Sequence, residues 1–196
     1  EQYWRALEPV LGSARVELTR LGETLEGRAI NAITLGSGPT TVLLSTQMNG
    51  DESTASMSLA DLIHWFAVSA DGDTLRRTLA ERLTITMIPV LNPDGAERFV
   101  RENQVGIDIN RDARRAATPE GRILRSVRDS IEADFGFNLH DPGTRTAGDD
   151  GPVVAIALLA PAADEERSWG PVRQSARQVA AVIAATLEPD LGRRMA

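Results

Sequence analysis

Chemistry-bearing polar residues gather at three places along this chain, each straight after an apolar run. Gln47-Met48-Asn49-Gly50-Asp51-Glu52 follows Thr41–Thr46, Asn92-Pro93-Asp94-Gly95 follows Leu83–Val90, and His140-Asp141 follows Phe135–Leu139. If the apolar runs are strands of an open α/β sheet, the three clusters lie where such sheets build their sites, beyond the carboxyl ends of strands. Together they would bring Glu, Asp or Asn, and His to one cleft. Taken singly, each reads more simply as a strand-to-helix loop with capping residues.

The rest of the composition narrows the chemistry. All 21 basic residues are Arg, a pattern that GC-rich coding explains. Without Lys there is no Schiff-base catalysis and no phosphate loop of the kind that needs its Lys. Without Cys there is no thiol nucleophile, thiolate metal site or disulfide. GxSxG, HExxH and GxGxxG are absent, which removes the serine-hydrolase, zincin and dinucleotide-fold signals. A phosphohydrolase reading of His140-Asp141 is starved of ligands, because the chain holds only two His. The 28 acidic residues exceed the basic ones by seven and Arg is dispersed, a poor footprint for nucleic acid. No apolar stretch reaches the roughly 18 residues of a membrane span. The chain opens at Glu1 rather than Met and reads as a processed or partial sequence. Its compartment is open, secreted or periplasmic if a signal peptide was removed.

The segments flanking these residues alternate between strand-like and helix-like. Gln2–Leu11 is amphipathic. Arg15–Leu21 and Arg28–Leu35 read as strands around a Glu26-Gly27 turn, and Thr41–Thr46 as a central strand buried on both faces. Ser53–Val68 carries Met57, Ala60, Leu62, Ile63 and Phe66 at helical spacing. Asp73–Arg82 reads as a helix, Leu83–Val90 as a strand, and Glu97–Ala117 as polar and irregular. Pro119 opens a helix to about Glu132, and Phe135–Leu139 is a strand. Residues 142–152 form a Gly-rich loop, Val153–Leu159 a strand and Ser168–Leu187 an Ala/Val-rich helix. With 42% hydrophobic residues and no linker or repeat, residues 1–196 are expected to form one domain. Its class is α/β, a mixed and mostly parallel sheet flanked by helices.

Order, spacing and strand context together resemble the zinc carboxypeptidases, the carboxypeptidase A-like metallopeptidases. The resemblance runs from about Leu21 to Leu187. It rests on LGETLEGR (21–28), TQMNGDES (46–53), NPDGAERFVREN (92–103), GIDINRD (106–112) and FNLHD (137–141). It implies a hydrolase that removes C-terminal residues from peptides with one zinc ion. In that family a His-x-x-Glu motif and a later His hold the metal, three protein ligands leaving one position for water. Glu52 then matches the carboxylate ligand and His140 the distant His. Asp108 matches the acid that orients the first His from behind. Arg101 matches the cation that polarises the scissile carbonyl and steadies its oxyanion. Asn110 and Arg111 match the pair gripping the terminal carboxylate, for which a planar guanidinium is suited. The implied partner is a peptide or small molecule with a free carboxylate.

The chain departs from the pattern where it matters most. The first His position holds Asn49, whose amide oxygen is a weak, hard donor where zinc prefers imidazole. The resemblance therefore implies weakened zinc binding. His64 lies beside Trp65 and Phe66 on a helix and reads as a packing or surface residue. Asp112 stands where an aromatic residue or Asn is common. Glu165, Glu166 and Glu188 lack the context of the family's general base, and the only Tyr, Tyr3, is at the wrong end. Base and Tyr are expected beyond Ala196, the fold being incomplete at its C-terminus. The resemblance also implies a cis bond at Asp141-Pro142, which proline makes cheap at about 0.5–1 kcal/mol. Three readings follow: an impaired peptidase of this type, a non-catalytic relative that keeps the carboxylate pocket, or a related zinc amidase or deacylase. NPDG and the Asn110-Arg111 pair favour the peptidase branch over the last.

Overall fold

The computed structural model describes residues 1–141, 156–160 and 170–195, with side chains to residue 189. The chain divides into two units, Glu1–Asp141 and Pro142–Ala196. The first is built on a five-stranded sheet in the order β1-β2-β4-β3-β5. Its strands are β1 (Val16–Glu23), β2 (Ala29–Leu35), β3 (Thr40–Thr46), β4 (Leu83–Ile88) and β5 (Phe135–Leu139). The β1–β2 and β2–β4 pairs are antiparallel, while β3 pairs parallel to both β4 and β5. The sheet is thus mixed, and β3 lies inside it with a parallel neighbour on each side.

Side-chain alternation along the strands assigns two cores. Ile33, Leu35, Ile85 and Met87 face one layer, which α1 (Gln2–Leu11) closes with Leu7 and Val10. The same layer takes α2 (Thr54–Val68), whose Ser56, Leu59, Ile63 and Phe66 recur at helical spacing. Ile30, Ala32, Leu43 and Ile88 face the other layer. There α6 (Pro119–Ile131) supplies Ile123, Leu124 and Val127. A connection on each face of a parallel strand is what such pairing requires. The C-terminal ends of β3, β4 and β5 lie side by side.

Three further helices link these strands: α3 (Thr74–Arg82), α4 (Pro93–Arg98) and α5 (Ile109–Asp112). The segment expected to be irregular, Glu97–Ala117, thus holds the end of one short helix and a single turn of another. Their starts are fixed by side chains rather than by apolar periodicity. Asp73 accepts a hydrogen bond from the Arg76 N–H, Asn92 from the Gly95 N–H and Asp108 from the Asn110 N–H.

In the second unit, α7 (Pro171–Met195) runs longer than the expected helix. Arg173 Nε donates to the Ala160 carbonyl at 3.0 Å. The strand expected over Val153–Leu159 does not form where it is described. Residues 156–160 are irregular and join no ladder, and a strand without a paired neighbour has nothing to define it. The Gly-rich loop of 142–152 and the Asp141-Pro142 bond lie outside the described residues. Among the described residues no helix is long and apolar enough to cross a membrane.

Candidate functional site

The loop after β3 is shaped by backbone constraints before its side chains act. Gln47 takes a left-handed φ of 49°, turning the chain sharply off the strand. Gly50 lies so close to α4 that a Cβ there would collide with the Gly95 carbonyl carbon and the Val100 oxygen. Asn92, fully buried, locks the approach. Its Nδ2 donates to the carbonyls of Met48 and Arg101, each at 3.3 Å, while its Oδ1 accepts from the Gly95 N–H at 2.9 Å. One amide thus ties the Asn49 loop, the start of α4 and the Arg101 segment together. The sequence pattern places Asn92 in a turn beside the expected cleft, but not in this tying role.

Asn49, Glu52 and His140 meet at the ends of β3 and β5. Asn49 Nδ2 donates to Glu52 Oε1 at 2.8 Å, and His140 Nδ1 lies 2.6 Å from Glu52 Oε2. The Asp141 N–H reaches the same Oε2 at 3.3 Å. Arg101 Nη1 donates to Glu52 Oε1 at 3.3 Å, while its Nε donates to Asp108 Oδ2 at 2.9 Å. The bond to Asp108 is the largest influence holding the Arg101 guanidinium more basic than usual, against partial burial. Arg111 Nε stands 4.0 Å from the same Asp108 oxygen, with its side chain 80% exposed. Asn110 lies in the first turn of α5, its N–H held by Asp108 at 2.9 Å.

Asp108 makes no hydrogen bond to Asn49, although it was expected behind it. The reason is chemical. An imidazole has a second nitrogen on its far side, whereas the Asn49 amide spends its NH2 on Glu52. Asp108 is left to Arg101. His64 is engaged elsewhere, bonding the Ala6 carbonyl at 3.0 Å where α1 meets α2. Asp112 is buried and works on structure. It accepts from the Ala117 and Thr118 N–H groups, both at 2.9 Å, and from the Thr118 hydroxyl at 2.8 Å. A groove of about 240 Å³ beside β5 is lined by Leu43, Ile109, Phe137 and Asn138 among others, and touches the cluster only through Asn138.

The donor set does not fit a catalytic zinc ion, which takes three protein ligands and keeps a fourth position open. Among the described residues no group of three His, Asp, Glu or Cys is placed to hold a metal. Glu52 already accepts four bonds on its two oxygens, the full capacity of a carboxylate. A 2.6 Å contact between His140 Nδ1 and that carboxylate is a hydrogen bond with the proton on the nitrogen, which a metal would have to displace to reach the lone pair. Asn138 Nδ2 fits the same tautomer, donating to His140 Nε2 at 2.9 Å. The 3.1 Å approach of Asn49 Nδ2 to His140 Nδ1 is then a contact between two N–H groups. The Asn49 amide must turn its nitrogen toward Glu52, because two oxygens would repel at 2.8 Å. Its Oδ1 is left buried with no hydrogen-bond partner.

Comparison with known proteins follows the same outline. A family model described as zinc carboxypeptidase matches residues 2–139. A metallo-carboxypeptidase from Burkholderia cenocepacia superposes with a TM-score of 0.65 at 28% identity, over 71% of this chain and 40% of that one. A metallo-carboxypeptidase from Pseudomonas aeruginosa, solved in complex with (2-guanidinoethylmercapto)succinic acid, gives 0.64 at 26% identity, over 71% and 38%. A protein of Zymomonas mobilis described as uncharacterized is 25% identical over 144 residues, 71% of this chain and 37% of its own length. The chain therefore spans about two fifths of the length of these relatives.

Proposed function

The chain belongs to the zinc carboxypeptidase family, and from that premise we propose that it recognises the free C-terminal carboxylate of a peptide while its own hydrolysis is impaired at position 49. The observation carrying this reading is the closed cluster itself. Glu52 is saturated by Asn49, His140, Asp141 and Arg101, so the residues matching the family's metal ligands bond to one another. Glu52 and His140 occupy the positions of two metal ligands, and Asn49 that of the third.

What remains is anion recognition. Arg101 is steered by Glu52 and Asp108 but keeps unspent N–H groups on its outer nitrogens, and its side chain is 37% exposed. In this reading it faces the carbonyl next to the terminal residue. Arg111 and Asn110 take the terminal carboxylate, for which the exposed Arg111 fork offers paired donors. Asp108 is a positioning residue, acting through Arg101. The (2-guanidinoethylmercapto)succinic acid bound to the Pseudomonas relative is itself a carboxylate, and supports this ligand class.

The test is calorimetric titration of the chelator-treated chain with (2-guanidinoethylmercapto)succinic acid and with its neutral diamide. Binding of the acid alone is expected. Equal binding of both, or of neither, removes the carboxylate reading. Zinc-dependent release of C-terminal residues by the unaltered chain would remove the impairment.

A further inference from the structure

We propose that Asn49 takes over the structural task of a metal ion, making this site a metal-independent clasp that fixes Arg101. The inference rests on reading positions 49, 52 and 140 as the family's metal position. Glu52 and His140 come from loops 88 residues apart in sequence, and a part-buried carboxylate beside an imidazole needs a positive or donating partner. Here that partner is distributed. The amide of Asn49, itself 1% exposed, supplies one N–H to Oε1. The His140 ring and the Asp141 backbone supply two more to Oε2. The fourth comes from Arg101.

The substitution also redirects a second carboxylate. Since the amide presents no far-side N–H, Asp108 is free to hold Arg101 Nε. A continuous hydrogen-bonded chain results, from Asn138 through His140, Glu52 and Arg101 to Asp108. Arg101 is thereby bracketed by two carboxylates from separate loops, with no ion required. Each link of this chain has a donor and an acceptor assigned; beside it, the buried Asn49 Oδ1 is left without a partner.

The experiment is thermal unfolding of the full chain in chelator and with zinc alone, for the unaltered protein, Asn49→Asp and Asn49→His. The unaltered protein is expected to keep one Tm in both conditions. Asn49→Asp is isosteric, removes the donor and sets a second carboxylate against Glu52. Its Tm in chelator should fall by at least about 2–4 °C and recover with zinc. Asn49→His should gain Tm only with zinc. A Tm of the unaltered protein that rises with equimolar zinc overturns the proposal without any variant. So does an Asn49→Asp chain as stable as the original in chelator. An Asn49→His chain that zinc leaves unchanged overturns the metal-position reading underneath. Nitrogen NMR of the His140 ring gives a second readout, the proton expected on Nδ1 and unmoved by zinc. Loss of carboxylate binding alone would remove the proposed function and leave these results standing.

Discussion

At the scale of single residues, the two arginines matched to substrate contacts differ in what holds them, and so in what their loss does. Arg101 ends two ion pairs, with Glu52 and Asp108, and its removal leaves two part-buried carboxylates each short of a donor. Arg111 is four-fifths exposed and only skirts Asp108 at 4.0 Å. Arg101→Ala should therefore lower stability by about 1–3 kcal/mol, toward the low end because the guanidinium is partly solvated, and also abolish binding of the succinic acid probe. Arg111→Ala should leave stability within about 0.5 kcal/mol and weaken probe binding about tenfold or more. Urea unfolding and calorimetry on the same two variants separate the effects. If Arg111→Ala binds the probe normally, Arg111 lies outside the pocket. Asn49, Glu52 and His140 were legible in the sequence because each follows an apolar strand, whereas Arg101, Asp108, Asn110 and Arg111 were legible only through the family resemblance. The bonds among them were not. An Asn in a ligand position says that an imidazole is gone, but not that its NH2 will fill Glu52 and release Asp108.

Elements whose ends are set by side-chain caps behave as units with their own pH response, and α6 is the sharpest case. The Asp112 carboxylate, buried before the helix, accepts three bonds from residues 117 and 118. Thr118 in turn caps α6 through the Gly121 N–H at 3.0 Å. Burial opposes the charge on Asp112, but the Thr118 and Ala117 N–H groups and the Thr118 hydroxyl outweigh it, holding its pKa below the ordinary carboxylate value. A lowered folded pKa means stability that is present above the unfolded value, about 3.9, and lost as pH falls through the folded one. Asp112→Asn should cost about 1–3 kcal/mol at pH 7. The difference from the unaltered chain should shrink steadily below about pH 4, as denaturant titrations at pH 7 and pH 3 would measure. A constant difference across that range would mean that the fold does not lower the Asp112 pKa. Elements with strong periodicity were read to within a residue or two, among them α1, α2 and β3. The cap-driven α4 and α5 escaped because a polar turn and a polar helix of four to six residues look alike in sequence. Residues 156–160 misled in the opposite way, since an apolar run signals burial and not the partner strand that would order it.

Across the unit Glu1–Asp141, the candidate site depends on a tie between two motifs that the sequence places far apart. The turn joining β1 and β2 carries Thr24, Glu26 and Arg28, and each reaches α4. Asp94, fully buried, accepts the Thr24 hydroxyl at 2.8 Å and Arg28 Nη1 at 2.7 Å. Glu26 bridges Arg28 and Arg98, and these two guanidinium groups hold its carboxyl below the usual range. The LGETLEGR and NPDG stretches are thus two halves of one ionic joint, which neither stretch reveals alone. The joint seats the start of α4, where Asn92 pins both the Asn49 loop and the Arg101 carbonyl. Breaking a buried pair from one side leaves a charge without compensation, and typically costs more than the pair contributes. Arg28→Ala should destabilise by about 2–4 kcal/mol, discounted from the fully buried case because Arg28 is 37% exposed. Asp94→Ala should cost a comparable amount through the Thr24 and Arg28 donors it orphans. Because the two residues share one interaction, the double variant should cost clearly less than the sum of the singles, by about 1 kcal/mol or more. A double-mutant cycle in urea tests this directly. Strict additivity would show that Arg28 and Asp94 are independent in solution, and that the turn does not brace the site.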